Sequence, residues 1–285
     1  MSQRAQTVLK HCTDIVRRFD YETYLCTIFA PKESQAAFFA IRAFNVELSQ
    51  IREHVRDANL GRMRMQFWRE TIAAVYEGRP SSHPVAELLG MCLEHVDLSQ
   101  SWFKRIIAER EANLIDPQYT TISDVEKYAE NTATCLLYLQ LEALGLKDVH
   151  ADHAASHIGK ALGITTLLRA TPFHIRDRRF YLPSQISAKH GISVEEIIRK
   201  GPANEAFRQV VYEVATAAND QIITARAHGK GVPKEAAPAL LLSIPCEEYL
   251  KRLEATNFNL FDPKLTQKTW KLPWTIWSAS RNSRF

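Results

Sequence analysis

The chain has 285 residues, 46% hydrophobic and 24% charged, a balance that admits one large folded domain or two small ones and excludes a disordered or fibrous chain. The 36 Lys and Arg against 32 Asp and Glu leave a net charge of +4, too small to argue for nucleic acid. Five scattered cysteines without a CxxC pair exclude a disulfide framework and a thiolate zinc site and point to a reducing compartment. No apolar run approaches the roughly 20 residues that span a bilayer, and no secretory apolar core is visible.

In residues 1–20, Val8, Leu9, Cys12, Ile15, Val16 and Phe19 recur at helical spacing beside Arg4, Lys10, Arg17 and Arg18, with Asp14 the only acid before Asp20. This fits the first helix of a domain or a residual mitochondrial targeting segment; the acid and the shortage of serine favour the helix. Tyr21 to Phe29 is aromatic and helical, and Pro31 starts a long helix from Glu33 to about Asp57 with a small-residue face of Ala36, Ala37, Ala40 and Ala43. Leu60-Gly61 opens Met63 to Tyr76, where Met65, Trp68, Ile72 and Val75 keep the 3.6 period. A turn follows over Gly78 to Ser82, including Pro80.

Helices continue over Val85 to His95 and, capped by Asp97 to Ser99, over Trp102 to Asn113. Asp116-Pro117 is a turn, and Ser123-Asp124 with Glu126 starts a helix from Val125 to Leu144 that Gly145 ends. Asp148 to Leu168 is helical, is expected to break at Thr171-Pro172, and leads through Arg176, Arg178 and Arg179 to Tyr181-Leu182-Pro183. Ser193 and Glu196 form a capping box for a short helix ending at Gly201-Pro202. Asn204 to His228 is amphipathic, and Pro238 to Ala255 is helical with a restart at Pro245. Without repeats or linkers, this pattern predicts an all-α single domain with its body over 21–257 and an aromatic tail, 258–285, docked on it.

Phosphate-cradling, dinucleotide and nucleophile-elbow motifs are absent. His150, His153 and His157 lie near one helical face beside Asp152, as zinc ligands can, but they sit at a helix start among Ala154, Ala155 and Ile158, where a structural role is favoured. The basic run Arg176, Arg178 and Arg179 suits a phosphate or a solvated loop. Trp68, Trp270, Trp274 and Trp277 read first as core and helix-docking residues. The last three, with Lys268, Lys271 and Arg281, also fit a membrane interface.

Four segments, TIFAPKESQAAFFAIRAFNVEL, RMRMQFWRETI, DVEKYAENTATCLLYLQLEALG and GKALGITTLLRATPFHIRDRRFYLP, in this order resemble the squalene/phytoene synthase family. The resemblance covers most of the chain and implies a helical isoprenoid-synthase fold in which two aspartate-rich clusters on facing helices hold magnesium against a prenyl diphosphate. Where that family has Asp-Asp-x-x-Asp, this chain has Ser49-Gln50-Ile51-Arg52-Glu53. Where it has an Arg followed by Asp-x-x-Glu-Asp, this chain has Arg169 followed by Ala170-Thr171-Pro172-Phe173-His174. Ser49, Gln50, Ala170, Phe173 and His174 thus mark degraded metal positions, and Glu53, Tyr128 and Arg169 are possible residues of a surviving cavity. The expectation is no metal, no cofactor and no catalytic residue.

The runs RAFNVELSQI, GRMRMQFWRETI, KYAENTATCLLYL and DVHADHAASHIGKALGITTLLRATPFH resemble a mitochondrial, non-catalytic branch of the same family. That likeness implies a place on the matrix side of the mitochondrial inner membrane, in peripheral contact with it. It also implies a part in early assembly of respiratory complex I around a membrane-arm subunit, with complex I subunits or assembly intermediates as partners and no nucleic acid. Two other readings stay open: an active prenyl or isoprenoid transferase with unusual ligands, and a non-catalytic binder of an isoprenoid or lipid.

Overall fold

Helix α3 (Lys32–His54) is small or apolar around most of its circumference, and such a helix must be surrounded. In the computed structural model, which describes residues 2–55, 57–79, 81–115, 118–200 and 205–285, α3 is the central rod of the N-terminal half. It packs against α1 (Gln3–Phe19), α2 (Tyr21–Thr27), α4 (Ala58–Tyr76), α5 (Pro84–Leu93), α6 (Gln100–Ala112) and, further along the chain, α8 (Cys135–Ala143). The resulting core joins Phe38, Phe44, Met65, Trp68, Leu88 and Phe103, with Phe44 edge-on to both Trp68 and Phe103. All five cysteines are buried free thiols: Cys12, Cys26, Cys92 and Cys135 in this core, Cys246 in a second one.

That second core forms around the C-terminal half of α9 (Val149–Arg176) and α12 (Glu205–Ala227), and brings Ile164 and Leu168 against Phe207, Val210 and Val214. Helix α14 (Ser243–Ala255) closes it with Cys246, Tyr249 and Leu253. On its other side α9 presses on α7 (Ile122–Ala129) and on a single wide turn of π-helix, Glu130–Thr134, that joins α7 to α8. The contact is glycine-mediated. A Cβ on Gly159 would lie 2.6 Å from Thr134 Cα, and one on Gly163 would run into the Ala129 methyl, 3.1 Å from its Cα. Short helices α10 (Ser184–Lys189), α11 (Val194–Lys200) and α13 (Ala237–Leu240), and α15 (Leu272–Arg281), complete an all-α fold; there is no strand among the described residues.

Several local expectations are corrected. Pro172 does not break α9, which runs on to Arg176. Proline removes one amide and crowds the Leu168 carbonyl, but Thr171 and Ile175 on either side of it are buried and hold the last turn to the protein. The end is closed instead at Arg178, whose φ of 58° lets its amide and that of Arg179 reach the carbonyls of Ile175 and His174. Pro172→Ala is therefore expected to stabilise the protein, by about 1 kcal/mol or more, read as a higher denaturation midpoint at unchanged helicity.

The helix read as Val125 to Leu144 starts earlier, with a capping box between Thr121 and Asp124 rather than at Ser123, because the Asp124 carboxylate accepts from the Thr120 and Thr121 amides. Ser99 offers no side-chain cap to α6; its hydroxyl and amide donate to Glu142 instead. The break in the 238–255 region falls at Leu241-Leu242, and Pro245 sits in the first turn of α14, where proline is tolerated. The capping box of Ser193 and Glu196 is present. The expected turn residues Pro80, Asp116-Pro117 and Gly201-Pro202, and Asn204, lie outside the described residues. Trp68 is buried, at 3% exposure, but Trp270, Trp274 and Trp277 are not: α15 docks through Leu272, Ile276 and Ala279.

Candidate functional site between α3 and α9

The C-terminal ends of α3 and α9 are brought together by the segment after α9. Ser184 and Gln185 donate amides to the carbonyls of Tyr119 and Thr120 at 3.0 and 3.1 Å, pinning the Tyr181-Leu182-Pro183 corner against the approach to α7. Tyr181 is buried, and its ring bridges the two helix ends. On one side the Arg52 guanidinium donates to the Tyr181 hydroxyl and lies over the ring, 4.6 Å from its centroid. On the other, the His174 imidazole meets the ring edge-on at 4.6 Å.

Around this bridge the remaining site residues divide. Ser49 turns its hydroxyl back to the Val46 carbonyl at 2.8 Å. The buried Nε2 of Gln50 has no hydrogen-bond partner among the described residues. Glu53 is exposed, as is Phe173, which carries Arg176 over its ring; Ala170 is half-buried. Tyr128 is half-buried and faces Tyr119, centroid to centroid at 6.0 Å. Burial, then Tyr128, push the Tyr119 phenol well above its ordinary pKa, and its hydroxyl donates to Asn113 Oδ1 at 3.1 Å. Arg169 points away from the Tyr181 bridge to α2, where Nη1 meets Glu22 Oε1 at 2.8 Å beneath the Tyr249 ring. Burial is the largest single influence and opposes its charge, but Glu22 together with Cys246, Asp20 and Tyr249 outweighs it and leaves the guanidinium pKa raised.

Magnesium does not fit these residues. A hard dication needs converging oxygen ligands, whereas the two helix ends meet here through a guanidinium, a phenol and an imidazole. Among the described residues no group of three or more His, Cys, Asp or Glu side chains converges to hold a metal ion. That holds for the histidine face too. His153 stacks edge-on with both His157 and His228 at 4.7 Å, His157 bonds Gln221 Oε1 through Nδ1, and His150 is packed beside Gly231.

Sequence reasoning missed a second polar cluster behind the site. Arg42, 1% exposed in the middle of α3, donates to Gln140 on α8. Burial pulls its pKa down while Asp20 pulls it back up. Glu109 takes bonds from Asn113 at 3.0 Å and from Asn131, in the π turn, at 2.8 Å, tying α6 to that turn. The one signal available was an Arg set inside the small-residue face of α3, a position where an unpaired charge would be prohibitive.

Residues 16–278 match the squalene/phytoene synthase family. The chain belongs to that family. Its fold is shared with a solved dehydrosqualene synthase in complex with ligand, at a TM-score of 0.85 and 17% identity over 98% of this chain and 97% of that one. Among curated relatives of this squalene/phytoene synthase family member, a Bos taurus protein named NADH dehydrogenase (ubiquinone) complex I, assembly factor 6 is 45% identical over 97% of this chain and 83% of its own length. The Homo sapiens protein of the same name is 44% identical over 95% of this chain and 81% of its own. No described helix of this family member is long and apolar enough to cross a membrane.

Proposed function

We propose that this chain is an assembly factor for mitochondrial respiratory complex I, a member of the squalene/phytoene synthase family that has kept the scaffold and lost metal-dependent prenyl transfer. It acts early, in biogenesis of a membrane-arm subunit, on complex I subunits or assembly intermediates, from the matrix side of the inner membrane. The observation that carries this reading is the likeness, close to full length, to relatives named as complex I assembly factors. The chemistry between α3 and α9 supports it. Arg52, beside the degraded positions Ser49 and Gln50, and His174, itself a degraded position, meet through Tyr181 rather than through carboxylates. Arg169, which resembles a family position that faces the cavity, is paired with Glu22.

Depleting the protein is expected to lower fully assembled complex I several-fold on native gels while the other respiratory complexes persist. Normal complex I in depleted cells overturns the proposal. Purified protein given farnesyl or geranylgeranyl diphosphate and Mg²⁺ is expected to release no pyrophosphate; release would return the transferase reading.

A further inference from the structure

Helix α15 carries two apolar faces. At about 100° per residue, Leu272, Ile276 and Ala279 fall on one side, where they are buried against the protein. Trp274, Trp277 and Arg281 fall on the opposite side. Trp274 is 65% and Trp277 43% exposed, and Trp270, just before the helix, is 76% exposed. A large aromatic ring left in water forgoes the burial that ordinarily places it inside, and here three do so together. Trp274 and Trp277 stand edge to face at 6.0 Å, so they form one patch rather than isolated exposures.

The segment that carries the patch is charged with a single sign, and Glu247, the acid that shares a recess with Trp274, is paired with Arg226 and Lys251. Residues 263–285 contain five Lys or Arg and no Asp or Glu. Lys271 sits over the Trp270 ring and Arg281 over the Trp277 ring, both at 5.7 Å. Tryptophan with an apolar body and a polar N–H, in a segment whose charges are all cationic, is the composition that settles at the headgroup level of a bilayer with negative lipids. An acidic protein partner would meet the cations but gives no reason for three exposed indoles within eight residues of chain.

We infer that the outer face of α15, with Trp270 ahead of it, is the surface by which this protein lies on an anionic lipid bilayer. This rests on the inner-membrane placement proposed above and gives it an address. The helix lies flat, anchored to the protein by its Leu272-Ile276-Ala279 side, and the rings enter the headgroup region.

Vesicle binding tests this without complex I, so the two proposals fail separately. The full chain is expected to co-sediment with phosphatidylcholine vesicles containing phosphatidylglycerol, to bind pure phosphatidylcholine much more weakly, and to release as salt rises. The triple variant W270A/W274A/W277A should lose binding about tenfold or more. Lys271→Gln should weaken it by about fivefold. All three rings are exposed, so the triple variant should keep the wild-type circular dichroism and melting point. Brominated lipid should quench wild-type fluorescence and leave the emission of the variant's Trp68 and Trp102 untouched. Failure to bind anionic vesicles, binding the triple variant retains, or equal quenching in both proteins overturns the inference. A protein that binds vesicles as described while its depletion leaves complex I normal would sink only the assembly role.

Discussion

Arg42→Ala is expected to destabilise the protein by about 3–5 kcal/mol, the loss that follows when one partner of a buried charged group is removed. For a chain of this size that is a fall in melting temperature of the order of 10 °C. The guanidinium is enclosed between α3 and α8, bonded to Gln140, and it is the cation that restrains Asp20. Burial raises the Asp20 pKa, and Arg42 is the main influence pulling it back. A carboxyl whose folded pKa lies above its unfolded value favours folding most when protonated. Its contribution is therefore lost as pH rises from the ordinary carboxylate range through the raised folded value. Without Arg42 that value rises further. The deficit of the variant should be largest near neutral pH and shrink on acidification, and Asp20→Asn should restore part of it at neutral pH. Denaturation midpoints of the single and double variants across pH decide the matter; a deficit independent of both pH and Asp20 would place the cause elsewhere.

Gly159→Ala is expected to be nearly as damaging. The added methyl would meet the Thr134 backbone, and neither α9 nor the π turn can yield there without moving a helix. Overpacking of this kind costs about 1–3 kcal/mol, and a contact with backbone belongs at the upper end. Gly163→Ala meets mainly a side-chain methyl, that of Ala129, so the double variant G163A/A129G should regain stability relative to G163A alone. Trimming Thr134 to alanine should rescue Gly159→Ala poorly, because its Cα remains in place. Equal rescue at both positions would mean that the helices separate freely.

Much of the helix order was legible because apolar residues at helical spacing in α4, α9 and α12 leave few other solutions. The helix ends were less so. Thr121 and Ser123 are both good caps, and only the amides of Thr120 and Thr121 reaching Asp124 select the first. The π turn left no trace in the pattern, since one widened turn inside a continuous helix shifts the period too little to see. Pro172 misled because its residue rule concerns one hydrogen bond, and two buried neighbours outweigh one bond. The meeting of Arg52, Tyr181 and His174 joins residues 129 apart and could not come from periodicity. The tryptophan face of α15 could have been found by turning the helix 100° at a time, which sets Leu272 and Ile276 against Trp274 and Trp277.

The five enclosed thiols give the molecule an internal clock. A thiol-reactive dye cannot reach them while the helices stay closed, so the rate of labelling reads the frequency with which each layer opens. Cys12 and Cys92 report the layer that α1 and α5 make against α3, Cys135 reports the start of α8, and Cys246 reports the α14 side of the second core. The order in which they react would map which parts of an isoprenoid-synthase scaffold loosen first when a partner or a bilayer takes hold of it.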